Sequence, residues 1–281
     1  MLTHSKIPKF AFIGTSSAGK TTATYLTCGF LKEHGIRVDG ILQQDRRLPF
    51  PPALLETHAE AQYWFVTNMM TTESYLSLQK GTDCLVSDRS VLDFYAYAET
   101  QWPLGVNDLR SMVLSWVSTY HTLFYLSPRS YDNDGVRPPD QFRLAVDRTL
   151  QGVIDNQGYL SSGQVVAVAN WKDAARQIAV ASKRAQLHPN ARITGSWNSG
   201  KFKPGSDFDF ILLAPEWEEI APEVRALFDA HDPRPTIEKH GDHGLTALYH
   251  SNVLNIGVQI QRDTSTLATR LALNAAEADA K

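Results

Sequence analysis

The chain has 281 residues, 43% of them apolar, with a net charge of −3. That apolar share excludes a disordered chain, and the near-neutral charge excludes a general polynucleotide-binding surface. No run of about 18 apolar residues occurs, so no membrane partner is expected. The two cysteines, Cys28 and Cys84, lie in apolar-periodic stretches and read as small buried residues, not as a disulfide or metal pair. A soluble, reducing, cytoplasmic setting is the expectation.

The first two thirds alternate strand and helix patterns. KFAFIG reads as a buried strand, KTTATYLTCGFLKEHG as a helix closed by Gly35, and RVDGILQQ as a second strand. A helical stretch ends at Gly81, and DCLVSD is a third strand. Helical VLDFYAYAET and NDLRSMVLSWVSTY lead to strand HTLFYLS. The loop PRSYDNDGVRPPD, the helix QFRLAVDRTLQGVIDNQG, the strand GQVVAVAN and a helix from about Trp171 complete the series. This alternation predicts a three-layer α/β fold with a parallel sheet.

The pattern then changes. ARITGS, FDFILLA and the hairpin-like LTALYHSNVLNIGVQI read as strands, with a helix about PEWEEIAPEVRALFDAH. A small α+β domain follows the first, with the expected division at residues 1–185 and 186–281. Residues 1–185 carry 18 basic and 17 acidic side chains, and the remainder carries 9 and 13. The acidic second part disfavours a DNA-wrapping role.

GTSSAGKT, Gly14 to Thr21, matches G-x-x-x-x-G-K-[ST] between a strand and a helix, the context that motif requires. Backbone N–H groups along Gly14, Ser17, Gly19, Lys20, Thr21 and Thr22 would face phosphates. Lys20 would reach the β and γ phosphates of ATP, and Thr21 would hold Mg²⁺. Asp88, ending the third strand, is placed for magnesium, and Arg89 for a transferred or acceptor phosphate. A capping Asp with a surface Arg is the plainer alternative. Asp45, in QQDRR, is the candidate base for an acceptor hydroxyl, with Arg46 and Arg47 as anion contacts or as parts of a solvated turn. Asp93 would bind an acceptor hydroxyl or complement a helix N-terminus. Arg129, Arg137, Arg143 and Arg148 form a candidate arginine lid over ATP, or a solvated helix face.

GTSSAGKTT, QQDRR, SDRSVLDFYAYAE and GVRPPDQFRLAVD together resemble the P-loop ATPase/kinase family that includes the ribosylnicotinamide kinase-like proteins. The Asp-Arg-Ser signature is similar to that of deoxynucleoside and nucleotide kinases. The resemblance, over residues 8–185, implies transfer of the ATP γ-phosphate to a small hydroxyl or phosphate acceptor. It leaves the acceptor open among nucleosides, nucleotides, vitamins and nucleic-acid-derived groups.

In GSWNSGKFKPGSDFDF, Asp207 and Asp209 alternate along a strand, so both carboxylates lie on one face, where a divalent cation relieves their repulsion. Gly195, Ser196, Asp207 and Asp209 resemble the nucleotidyltransferases of the polymerase-beta superfamily, especially the minimal ones. The resemblance implies that Gly195 and Ser196 bind a triphosphate while Asp207 and Asp209 hold metals at its α-phosphate. Lys201 or Lys203 would add positive charge nearby. That family has a third carboxylate on a later strand, where this chain aligns Asn255, with Glu238, Asp242 or Asp263 as substitutes. HGDHG, His240 to Gly244, has no zinc spacing and reads as a polar turn. Three functions follow: a kinase with a nucleotidyltransferase domain, a kinase with a nucleotide- or partner-binding module, and an NTPase switch. ATP and Mg²⁺ are the expected cofactors, and an NTP with a small-molecule or nucleic-acid-derived acceptor the expected partners.

Overall fold

The computed structural model describes residues 7–42, 49, 60–79, 81–103, 106–130, 139–228 and 245–279. Asp45, Arg46, Arg47, Arg137, Glu238, Asp242 and the HGDHG stretch lie outside the described residues. Contacts divide the chain into two units, Met1–Lys32 with Ile36–Ala175, and Glu33–Gly35 with Arg176–Lys281. The division falls inside the helix expected from about Trp171.

In the first unit, β1 (Lys9–Ile13), α1 (Lys20–Glu33), β2 (Val38–Ile41), α2 (Glu60–Ser77) and β3 (Cys84–Asp88) come first. Then follow α3 (Val91–Gln101), α4 (Asn107–Val117), β4 (Thr122–Tyr125), α5 (Asp140–Asn156) and β5 (Val165–Ala167). The five strands form one sheet in the order β2-β3-β1-β4-β5, every pair parallel. Every residue of β1 and β3 is buried, as a parallel sheet covered on both faces requires. Because β1 is central, the chain leaving it at Ile13 emerges beside the end of β3, where Phe12 pairs with Asp88. Ligands of such sheets gather at this carboxyl edge.

Helix α3 is almost wholly buried, through Val91, Leu92, Phe94, Tyr95, Ala96 and Ala98. Phe94 stacks on Phe65 of α2 with ring centroids 4.9 Å apart. Near its N-terminus lies a charged network built on a buried pair. Glu73 of α2 pairs with Lys9 of β1 at 2.9 Å and accepts hydrogen bonds from the Trp116 indole at 2.8 Å and the Tyr120 hydroxyl at 2.5 Å. The Lys9 ammonium also donates to Thr119 Oγ1 and sits over the Trp116 ring. Three hydrogen-bonding groups close on one carboxylate–ammonium pair, which is how a buried charge is tolerated.

Helix α6 (Trp171–Leu187) spans the division. The second unit continues with β6 (Arg192–Ile193), α7 (Gly195–Ser199), β7 (Phe208–Leu213), α8 (Ala214–Glu218), α9 (Pro222–Arg225), β8 (Leu245–Ser251), β9 (Ile256–Gln261) and α10 (Thr264–Asp279). Its sheet runs β6-β7-β9-β8, with β7 parallel to β9 and the edge strands antiparallel. Trp197 of α7, fully buried, is sandwiched between Phe202 at 4.0 Å and Phe208 at 4.1 Å.

Three elements differ from expectation. The helix about PEWEEIAPEVRALFDAH is two short helices, because Pro222 cannot continue the first. The strand expected through Asn255 begins only at Ile256. Asn255 has φ +54, a left-handed turn conformation that asparagine tolerates, and its amide donates to the Ser206 carbonyl. The C-terminal helix α10 was not anticipated. Its Asp263 carboxylate accepts from the N–H groups of Ser265 and Thr266, a cap followed by alanine-rich sequence. Those bonds hold the Asp263 carboxyl below its usual range and give it a role in the helix end.

Candidate functional site

The phosphate-loop motif runs from the end of β1 into α1, so the N-terminus of α1 opens onto the carboxyl edge of the sheet. Lys20, only 4% exposed, donates from Nζ to the carbonyls of Gly14 at 2.6 Å and Thr15 at 2.7 Å. Burial, then the neighbouring Arg89, pull its ammonium below the usual range, against opposing pulls from Asp93, Tyr97 and Asp88. Thr21 Oγ1 donates to Asp88 Oδ2 at 2.5 Å. A hydroxyl and a carboxylate brought together from a helix start and a strand end are hard oxygen donors, the set that suits Mg²⁺. Thr22 is exposed on the first turn of α1.

Two side chains of α3 reach the loop. Asp93, 1% exposed, accepts from Gly14 N–H at 2.9 Å through one oxygen and from Ser90 N–H at 2.8 Å through the other. It closes a capping box with Ser90, so its carboxylate is committed to backbone support. Burial raises its pKa, and Lys20, Arg89 and the two N–H groups offset part of that rise. The second is Tyr97, whose phenol oxygen accepts from Ser16 N–H at 3.1 Å. Burial would raise the phenol, but Arg89, Lys20 and the Ser16 hydrogen bonds together outweigh it and leave it lowered.

Arg89 follows Asp88 with φ +89, a strained conformation for a residue with a side chain. Its guanidinium lies over the rings of Tyr97 at 5.4 Å and Phe94 at 5.9 Å. Arg129 packs against Gly19 of the loop. Arg143 is 3% exposed and pairs with Asp140 one turn earlier in α5, at 2.6 Å, while Arg148 is exposed. The Ser17 hydroxyl is sealed from solvent and has no hydrogen-bond partner among the described residues. An orphaned hydroxyl beside a loop of N–H groups, with a lysine and a hydroxyl–carboxylate pair suited to Mg²⁺, fits a nucleoside triphosphate.

In the second unit, Asp209 of β7 pairs across the sheet with Gly257 of β9. Gly195 has φ +63, and a Cβ there would stand 2.4 Å from Asp209 Oδ2; one at Gly257 would stand 2.7 Å from Oδ1. The two glycines therefore make the slot that admits this carboxylate. Ser196 follows on α7, a short helix where the sequence suggested a turn. Lys201 and Lys203 are exposed beyond it. Asp207 is 45% exposed, and His250 of β8 faces it with Nε2 3.5 Å from Oδ2. His250 was not among the expected residues. It reaches the site because β8 pairs with β9, setting His250 opposite Gly257. Among the described residues no group of three His, Cys, Asp or Glu side chains is arranged to hold a metal ion.

Burial, then the charge of Asp207, push Asp209 up to about 6, with His250 opposing. A carboxyl raised above its unfolded value binds an extra proton in the folded state between about pH 4 and 6, so stability is lost as pH rises through that window. Asp209→Asn is thus expected to raise the thermal midpoint at pH 7 and leave it unchanged at pH 4, read by calorimetry. A lower midpoint at pH 7 would mean that the carboxylate is supported rather than strained.

No protein-family model and no curated protein matches the sequence. Solved structures similar to the chain include deoxyadenosine kinase from M. mycoides with the products dCMP and a flexible dCDP bound. It is 12% identical, with a TM-score of 0.43 over 60% of this chain and 96% of that one. The same kinase with bound dATP gives 13%, 0.39, 57% and 90%, and with bound dCTP 11%, 0.40, 61% and 94%. Likeness at this level names no reaction. Among the described residues, no helix is long and apolar enough to cross a membrane.

Proposed function

We propose that the chain is a P-loop phosphotransferase that moves the γ-phosphate of ATP to a hydroxyl of a nucleoside, nucleotide or nucleic-acid-derived acceptor. The observation that carries this reading is the Thr21–Asp88 bond beside the buried Lys20 at the sheet's carboxyl edge. Mg²⁺–ATP, when bound, would supply the phosphoryl group and a cation that offsets phosphate charge. Thr21 and Asp88 offer that cation oxygen ligands. Lys20 and the N-terminus of α1 neutralise phosphate charge, and Arg89 adds a guanidinium on the side of β3. Arg137, Arg143 and Asp45 remain the proposed lid and base.

A second reading concerns the C-terminal unit. Asp209 on β7 and Asp207 just before that strand, beside Gly195 and Ser196 at the start of α7, favour a nucleotidyltransferase-like site that moves a nucleoside monophosphate or only binds a nucleotide. With Asn255 aligned where a third carboxylate is expected and His250 facing Asp207, a cation at Asp207 and Asp209 would draw its remaining ligands from nucleotide phosphates and water.

One experiment addresses both readings. The full chain is incubated with Mg²⁺, pooled nucleosides, nucleotides and oligonucleotides, and ATP labelled in parallel at the γ or α phosphate. Transfer of the γ label to an acceptor is expected. Label released only as inorganic phosphate would replace the kinase by an NTPase switch. Transfer of the α label that Asp207→Ala abolishes would establish nucleotidyl transfer; its absence leaves the binding module.

A further inference from the structure

The N–H groups of a phosphate loop are donors aimed at anions, yet Gly14 N–H is held by the Asp93 carboxylate and Ser16 N–H by a phenol. Ser16 N–H is bonded at 3.1 Å to the phenol oxygen of Tyr97. That oxygen lies within electrostatic reach of both Lys20 and Arg89, and the Arg89 guanidinium stands over its ring at 5.4 Å. An oxygen on a loop N–H, with two cations around it, has the chemical surroundings of a phosphate oxygen. The neighbouring Ser17 hydroxyl meanwhile has no partner among the described residues, so that part of the cradle is not filled in the same way.

The two α3 side chains on the loop differ in kind. Asp93 is 1% exposed and holds Gly14 N–H and Ser90 N–H at once, so removing it would orphan two backbone donors. Tyr97 is only partly buried and its phenol is hydrogen-bonded to a single residue, Ser16, with its ring tilted against Phe142 of α5 at a centroid distance of 6.1 Å. Asp93 is a fixed support; Tyr97 is displaceable.

We infer that Tyr97 is a stand-in for a nucleotide phosphate oxygen: its phenol holds Ser16 N–H until a nucleoside di- or triphosphate displaces it. This rests on the reading of the loop as a nucleotide-phosphate site. Tyr97 is then a residue of that site which lowers affinity, since each binding event must first break its hydrogen bond.

Tyr97→Phe keeps the ring and the Arg89 contact and deletes only the oxygen. Titration of the full chain with Mg²⁺–ADP and with inorganic pyrophosphate, read by calorimetry, is the test. Both probes are expected to bind the variant about three- to tenfold more tightly than wild type, the worth of one neutral hydrogen bond no longer competing. If wild type binds neither probe, the phosphate-loop reading itself fails. If wild type binds ADP and the variant binds it equally or more weakly, that reading stands and the inference about Tyr97 falls. Tightening for ADP without tightening for pyrophosphate also overturns it, because the oxygen would not be competing with phosphate.

Discussion

Lys20→Ala is expected to lower γ-phosphate transfer by about 10²- to 10³-fold, the loss usual when one preorganised charge at a transferring group is removed. The reasoning starts from burial. Lys20 is 4% exposed, and its ammonium is held on the Gly14 and Thr15 carbonyls, inside the loop that its own backbone helps to form. A cation kept there in low dielectric stabilises phosphate charge far more than one in water. The alanine variant loses that charge and the donor to the Gly14 and Thr15 carbonyls, and also leaves the space of the side chain empty. Lys20→Met loses the same charge and donor but fills the space, so the pair separates the loss of the ammonium from the loss of packing. Transfer measured with γ-labelled ATP is expected to fall in both variants, with ADP affinity falling further in the alanine one. Transfer within threefold of wild type in either variant would remove Lys20 from the chemistry.

The largest effect on stability is expected at Glu73, remote from any proposed chemistry. Glu73→Ala leaves the Lys9 ammonium buried without its counter-charge, and strips the acceptor from Trp116 and Tyr120. Breaking such a pair from one side costs about 3–5 kcal/mol. For a unit of this size that is a fall in thermal midpoint of roughly 10 °C. Glu73→Gln, which keeps an acceptor oxygen, is expected to lose less. Lys9→Met combined with Glu73→Leu removes both charges and should recover most of the loss, since the desolvation cost disappears with the pair. A single alanine variant with an unchanged midpoint would show that the network carries no net stability.

What the sequence disclosed depended on distance along the chain. The phosphate loop was legible because its function is local: one strand end, one turn, one helix start. The Thr21–Asp88 partnership was legible too, since both residues end elements that a parallel sheet brings to one edge. Asp93 stood between two roles in the sequence; the capping box with Ser90 and the bond to Gly14 N–H put it in the backbone's service. Tyr97 gave no signal, because a tyrosine in an apolar helix looks like core until its oxygen is found on Ser16. His250 was hidden for a different reason. Expectation looked along the chain for a third carboxylate near Asn255, whereas the sheet supplied an imidazole through the β8–β9 pairing. The slot for Asp209 was likewise unreadable, since Gly195 and Gly257 come together only across β7. The α10 helix, by contrast, had a readable cap at Asp263, a residue that the sequence offered only as one of three substitutes for a third carboxylate.

The backbone of Arg89 has one more consequence. At φ +89 the chain is in a region that glycine occupies at no cost and other residues reach at about 1–3 kcal/mol. Arg89→Gly therefore relieves the backbone and deletes the guanidinium in one step. Thermal stability is expected to hold or rise while phosphoryl transfer collapses, checked by calorimetry beside the labelled-ATP assay. At this one position folding and function pull in opposite directions, and selection for stability alone would discard the arginine.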